Sequence, residues 1–352
     1  MRNKNKIERP NQFAIMLTMV KRNLKVYFKN VPIVIFTLMV PLAVLAVYAL
    51  FLRPMEAQQI RSALEQFNII LKPEQNPDDL DFLKKIYGIA DCWMMSGVLA
   101  VSCITVSLNS NYIMVKDKEN DANKDMLSSP ISPRTIMFSY FLFNFLVTFL
   151  VIFIVFLLCL LWLALYNAYM IDVIDFFSIL GALILSVMSA SLATFFIASF
   201  IKTDSVLSTI VAIFSAGIGF LIGAYLPDSM MPDTIKNLTA LFPGTYSTTL
   251  LRNFFVHTPM VKLIESGRIN EGFINEFVNM FGFNIKFFNI EVSVPIMWLV
   301  LFISIIIFLV LNMIFSSRNT FTGLFFSRKE KKRIDIIQKG IKELTIKNSS
   351  KS

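Results

Sequence analysis

Apolar and ionisable residues are segregated along this chain. Six stretches, 31–52, 92–115, 136–166, 177–201, 205–226 and 294–315, contain no Asp, Glu, Lys, Arg or His. The run from Thr135 to Ile171 extends for 37 residues without one. At a rise of ~1.5 Å per residue, each stretch is long enough as a helix to cross a hydrocarbon core of ~30 Å. The pattern predicts an all-α polytopic membrane protein with six transmembrane helices, none of which carries an ionisable group.

Shorter periodicities fill the remaining chain. Between residues 13 and 28, Phe13, Met16, Leu17, Val20, Leu24 and Tyr27 recur at helical spacing, with Arg22, Lys25 and Lys29 on the far side. This predicts an amphipathic helix lying in the membrane interface, either as a ramp into span one or as a docking surface. The connection 53–91 is an acidic loop with turns expected near Pro73 and Pro77. The connection 227–293 is broken by Pro227, Pro232, Pro243 and Pro259 yet keeps greasy clusters such as Phe254-Phe255. Short helices dipping into the outer leaflet fit it better than a solvated loop. Near the end, Ile334, Ile337, Ile341 and Leu344 share one side of a basic surface helix over 328–347.

Charge then orients the spans. Of the 33 Lys and Arg, 23 fall in segments 1–30, 116–135, 202–204 and 316–352, and 10 in the longer segments between. Positive residues concentrate on the cytoplasmic side, so both termini are placed there. The net charge of +9 flanks apolar spans, so anionic lipid headgroups rather than nucleic acid are its expected counterpart. Cys92, Cys103 and Cys159 have no paired spacing, so neither a disulfide framework nor a metal site is expected, and no cofactor. The lone His257 is read as an ordinary loop residue.

Several chemistries are excluded by what the chain lacks. Proton- and ion-coupled carriers rely on ionisable groups within their spans. A phosphate-binding loop needs Gly followed by Lys, and no glycine here is followed by lysine. The chain is therefore expected not to be an enzyme. If it moves a solute, another polypeptide supplies the energy.

The connection between spans two and three reads KDKENDANKDMLSSPISPRT. It predicts a short charged helix followed by stop and restart signals at Ser129-Pro130 and Ser132-Pro133. With SPIS at 129–132, it resembles the signature region of type-2 ABC-transporter permeases, the membrane subunits of bacterial exporters. It departs from that signature at Asp121–Lys124, where the family has GTLE. A second segment, LFPGTYSTTLLRNFF from Leu241 to Phe255, is similar to the family's segment between spans five and six. The order of interfacial helix, spans and loops agrees over nearly the whole chain.

The resemblance implies roles for particular residues. Asp117, Glu119, Met126, Leu127, Ser129 and Pro130 would belong to a coupling element seated in a separate ATP-binding-cassette subunit. Pro243, Thr245, Tyr246, Leu251 and Arg252 would form re-entrant helices closing the external end of the pathway. The expected organisation is a tail and interfacial helix at 1–30, a permease domain at 31–315 with external loops 53–91 and 227–293 and coupling loop 116–135, and a basic cytoplasmic tail at 316–352. Independently of the resemblance, Ser215, Gly219 and Gly223 recur every four residues in span five, a spacing that lets helices approach closely. That stripe serves packing within one subunit or the seam of a dimer.

The sequence thus predicts a multi-pass permease of a bacterial cell membrane, pairing with itself or a sister permease. Amphipathic, lipid-like, drug or peptide cargo would be exported at the expense of the partner's ATP. The alternative is a membrane anchor that holds a cytoplasmic partner and transports nothing.

Overall fold

The computed structural model describes residues 11–66, 69, 76–129, 131–166, 171–225, 231–267, 269, 272, 274–275, 283, 285–287 and 290–315. Pro130 and the basic tail 316–352 lie outside the described residues. Among the described residues six helices are long and apolar enough to cross a membrane, and the protein is an all-α polytopic bundle.

The first helix, α1 (Gln12–Lys29), starts at Asn11, whose side chain accepts from the Phe13 and Ala14 amides at 3.1 and 3.4 Å. This satisfies two of the donors a helix start leaves unpaired. Its buried stripe is Met19, Val20, Asn23 and Tyr27, which lies along α7 (Pro133–Leu165). Phe13 and Leu17, expected on the same face, are exposed. The contact with α7 rotates the helix away from the simple apolar-polar division.

Span one is α2 (Val31–Val47), which continues through a π-turn at Tyr48–Leu52 into α3 (Arg53–Gln66). Span two is α4 (Pro77–Ser110), far longer than its charge-free core. Asn76 caps it through the Asp78 amide, Pro77 occupies the first turn, and Asp78 and Asp79 face the positive end of the helix dipole. The segment read as a loop over 53–91 is therefore helical at both ends. Pro77 starts a helix rather than making a turn.

Two short helices follow, α5 (Tyr112–Glu119) and α6 (Ala122–Ser128). Between them Asp121 adopts a left-handed φ of 61°, which reverses the chain. Ser132 then caps α7 through the Thr135 amide, with Pro133 at its first position. Spans four and five are α8 (Val173–Ser199) and α9 (Asp204–Leu221). After α9 come α10 (Asp233–Thr239) and α11 (Pro243–Glu265), then an antiparallel hairpin of β1 (Ile285–Phe287) and β2 (Ile290–Val292). Span six is α12 (Val294–Phe315).

At the centre stands α4, almost wholly buried and packed against α2, α7, α8, α9 and α11. Ser96, Gly97, Ala100, Ser102 and Cys103 keep its surface low enough for so many neighbours. Among apolar tails there is little hydrophobic drive between helices, so shape and hydrogen bonds decide how they join. Ser107 Oγ meets Thr194 Oγ1 at 2.5 Å and Asn144 Oδ1 at 2.9 Å, lacing α4 to α8 and α7. The Asn144 and Asn111 amides both donate to the Ser107 carbonyl, at 2.8 and 3.0 Å.

Candidate functional site

Three regions of this bundle carry the polar geometry. The first is the end formed by α5 and α6. Asp117 and Lys118 are adjacent on α5 and both buried, yet they reach in different directions. Arg22 of α1 donates two hydrogen bonds to the Asp117 carboxylate, one of them from Nη2 at 2.8 Å. Tyr140 of α7 donates to the same carboxylate at 2.6 Å. Lys118 Nζ donates to the Ala198 and Ser199 carbonyls at 3.0 Å, where α8 ends. A cation there answers the negative pole of the helix dipole. The bonds to Asp117 hold the Arg22 guanidinium above its ordinary pKa against partial burial.

Asp117 thus faces inward and ties α5 to α1 and α7, instead of lying on an outer surface with Glu119. Arg22, expected on the solvent side of α1, is its partner. Glu119 is exposed and paired with Lys116 at 2.8 Å, and Asn120, Asp121 and Asp125 are exposed beside it. Met126 and Leu127 pack half-buried against the core. Ser129 Oγ donates to the Met126 carbonyl at 2.5 Å, closing the end of α6. Gln12 Oε1 of α1 accepts from the Ser132 amide at 3.2 Å and Thr135 Oγ1 at 2.9 Å, a second tie between α1 and α7.

The second region is α11 and the opposite end of the bundle. A Cβ on Gly244 would meet Ile222 at 2.8 Å and Ile104 at 3.0 Å, so α11 begins beside the last third of α4. Further along, Arg252 lies 4.1 Å over the Trp93 ring and donates to the Gly223 and Ala224 carbonyls at 2.7 and 3.0 Å. Still further, His257 and Thr258 meet Asp175 in the first turn of α8, with His257 Nδ1 at 3.1 Å. The helix therefore climbs from that level to one end. His257 belongs to α11 and touches a buried carboxylate, which corrects its reading as an ordinary loop residue.

Pro243 opens α11, and Thr245 Oγ1 donates to the Thr239 carbonyl at 2.6 Å, bracing α10 against it. Tyr246 and Leu251 are buried. A Cβ on Gly97 would come within 2.6 Å of the Ala224 carbonyl oxygen, so α4 touches the backbone that follows α9. All five residues assigned to an external gate thus lie on one helix among α4, α8 and α12.

At this same end Asp91 is fully buried. It accepts from Tyr48 OH at 2.7 Å and from Arg53 at 2.8 and 3.2 Å. Arg53 also stacks 4.5 Å from the Tyr166 ring. Together with Asp175 in α8, this corrects the expectation that the spans carry no ionisable group. Counting charge-free stretches stops at the first carboxylate, whereas these helices continue beyond it and pair it. A signal was present: Arg53 directly follows one apolar run and Asp91 directly precedes the next, and antiparallel neighbours bring those ends together.

The third region is a cavity of about 230 Å³ between α4, α8, α9 and α11. Phe242, Pro243 and Gly244 at the start of α11 line it, together with Ile197 and Phe308. The proposed small-residue stripe of α9 does not run as a stripe. Gly219 packs against the chain's own Tyr225 ring, Ser215 is half-buried, and Gly223 lies beyond the helix with φ +65°. The close contact at Gly219 is within one copy.

Known proteins were compared with this chain. A search of curated proteins finds no match. The family described as ABC-2 family transporter protein matches residues 46–315, which include five of the six candidate spans whole and only the last part of span one. The chain is a member of that family, a multi-pass permease component of the ABC-2 type.

Proposed function

We propose that this chain is the permease subunit of an ATP-driven exporter, working with a separate ATP-binding-cassette subunit and paired with a second permease. Amphipathic, lipid-like, drug or peptide cargo would leave the cell of a bacterium through it. The observation that carries this reading is the construction of α5 and α6. Their inner residues Asp117 and Lys118 are bonded to α1, α7 and α8, while Glu119, Asn120, Asp121 and Asp125 stay exposed.

An element fastened on one side and exposed on the other passes displacement into the bundle. On this reading the ATPase seats the exposed face, and closure of its two copies pushes α5. Because α5 is tied through charge-assisted bonds, α1 and the near end of α8 move with it. The chain then exchanges between two arrangements biased by nucleotide. At the far end α11, as a re-entrant helix held by Arg252 on the Gly223 and Ala224 carbonyls, closes the external side. The positive-inside bias supports placing α5 and α6 in the cytoplasm.

The test reverses the exposed charges and leaves the buried ones. Glu119→Lys with Asp125→Lys is expected to insert normally and bind the ATPase subunit weakly, with loss of permease-dependent ATP hydrolysis in proteoliposomes. Undiminished co-purification and hydrolysis in that variant overturn the assignment. An ATPase that co-purifies while its hydrolysis never responds to the permease supports an anchor instead.

A further inference from the structure

We propose that the cavity among α4, α8, α9 and α11 is a binding site, inside a single copy of the chain, for one uncharged amphiphile. Its ligand has a short apolar body ending in a hydroxyl or carbonyl oxygen. The space arises from the sequence of α8, which presents Ser186, Ala190 and Ala193 on one face opposite Ala100 and Cys103 of α4. Small side chains on both helices leave a gap that Phe214 and Phe308 border but do not fill. At about 230 Å³ it exceeds the ~150 Å³ apolar cavity that takes up benzene.

The polar handle is Ser186. It is 1% exposed and lines the cavity, and its Oγ has no hydrogen-bond partner among the described residues. Two other serines of α8 bond to their own helix: Ser178 donates to the Ile174 carbonyl at 2.9 Å and Ser199 to the Phe196 carbonyl at 2.7 Å. Two other cavity hydroxyls are already engaged, Ser189 with Ser304 at 2.8 Å and Thr194 with Ser107 at 2.5 Å. A buried hydroxyl left unpaired is costly, and a ligand oxygen beside Ser186 removes that cost.

The charge of the ligand follows from the walls. Among the described residues no Asp, Glu, Lys, Arg or His lines the cavity, so an ion entering it would lose its hydration and gain no counter-charge. A pure hydrocarbon would fit the walls but leave Ser186 unpaired. One oxygen on an apolar body of octanol size satisfies both conditions. The site lies within one copy and is complete without an ATPase, so it stands or falls separately from the export reading.

The experiment uses the full chain in nanodiscs and 3-azioctanol, a photoreactive octanol, with labelled peptides mapped by mass spectrometry. Labelling is expected on α8 and α9 around the cavity and should be blocked by 1-octanol. Octane, and octanoate at pH 8, should protect at least tenfold less well. Ser186→Ala keeps the volume and should narrow the advantage of octanol over octane about fivefold, the size of one neutral hydrogen bond. Ala193→Phe fills the space and should abolish labelling there. Equal protection by octane, or unchanged labelling of a normally inserted Ala193→Phe protein, overturns the proposal. So does an octanol-over-octane advantage that Ser186→Ala leaves undiminished.

Discussion

Removing Arg53 isolates the deepest charge in the protein. Asp91 is fully buried and holds three bonds, two of them from Arg53, whose own side chain is 27% exposed. In Arg53→Ala the carboxylate keeps Tyr48 alone. Breaking one partner of a buried pair costs about 3–5 kcal/mol, chiefly through the charge left behind. Water that already reaches Arg53 lowers this toward about 3 kcal/mol, and loss of the stack on Tyr166 adds ~0.5–1 kcal/mol. Asp91→Asn in the same chain removes the orphan charge and still accepts from Tyr48. The double variant should therefore be more stable than Arg53→Ala, with a coupling of about 2 kcal/mol. Reversible unfolding of the purified protein by SDS titration in mixed micelles measures all three. Additivity of the two changes within about 0.5 kcal/mol, or an Arg53→Ala protein as stable as its parent, refutes the reasoning.

The glycines give opposite outcomes. Gly217→Ala meets open space and should stabilise isolated protein by up to ~1 kcal/mol from helix propensity, whereas Gly97→Val drives into the Ala224 backbone and should destabilise by about 1–3 kcal/mol in the same titration. Asp117→Asn should weaken the bond to α1, so proteolysis between α1 and α2 is expected to accelerate severalfold while α4 to α8 stay protected. Topology is checked with cysteines on a background whose native thiols are buried. Asp81→Cys should react with an impermeant maleimide on intact cells, and Ser128→Cys after lysis alone.

The spans were legible because an apolar helix long enough for a bilayer leaves an unambiguous run. Their ends were not. Asn76, Pro77, Asp78 and Asp79 form a helix start on inspection, but hydropathy reports the membrane and not the hydrogen-bond ladder, so about four turns of α4 read as loop. The segment between spans two and three stands out by its charges, but those charges do not share one role. Asp117 and Glu119 look alike two residues apart, yet two positions on a helix lie on opposite sides, so one faces Arg22 and the other faces outward. Partners such as Arg22 and Asp117 are 95 residues apart in sequence, and no local pattern announces them. The cavity was invisible for a different reason. It is a mismatch of small residues on α8 and α4, and depends on how those two faces meet.

Taken along its length, α4 is fixed by directional bonds at three levels and by packing between them. Asp91 joins it to α2 and α3, Ser107 and Asn111 join it to α7 and α8, and its continuation α5 is joined through Asp117 and Lys118 to α1, α7 and α8. Between the first two levels, its hydroxyls turn back on their own helix: Ser96 donates to the Trp93 carbonyl, Ser102 to Val98 and Thr105 to Val101. Directional bonds have one register, whereas apolar surfaces of similar shape slide at small energetic cost. That middle stretch carries Ala100, Cys103 and Ile104, which line the cavity. A push on α5 therefore cannot dissipate at the bonded joints. On the proposed reading it appears as relative movement where α4 meets α9 and the start of α11, and the cavity volume is then the quantity expected to change when α5 is loaded.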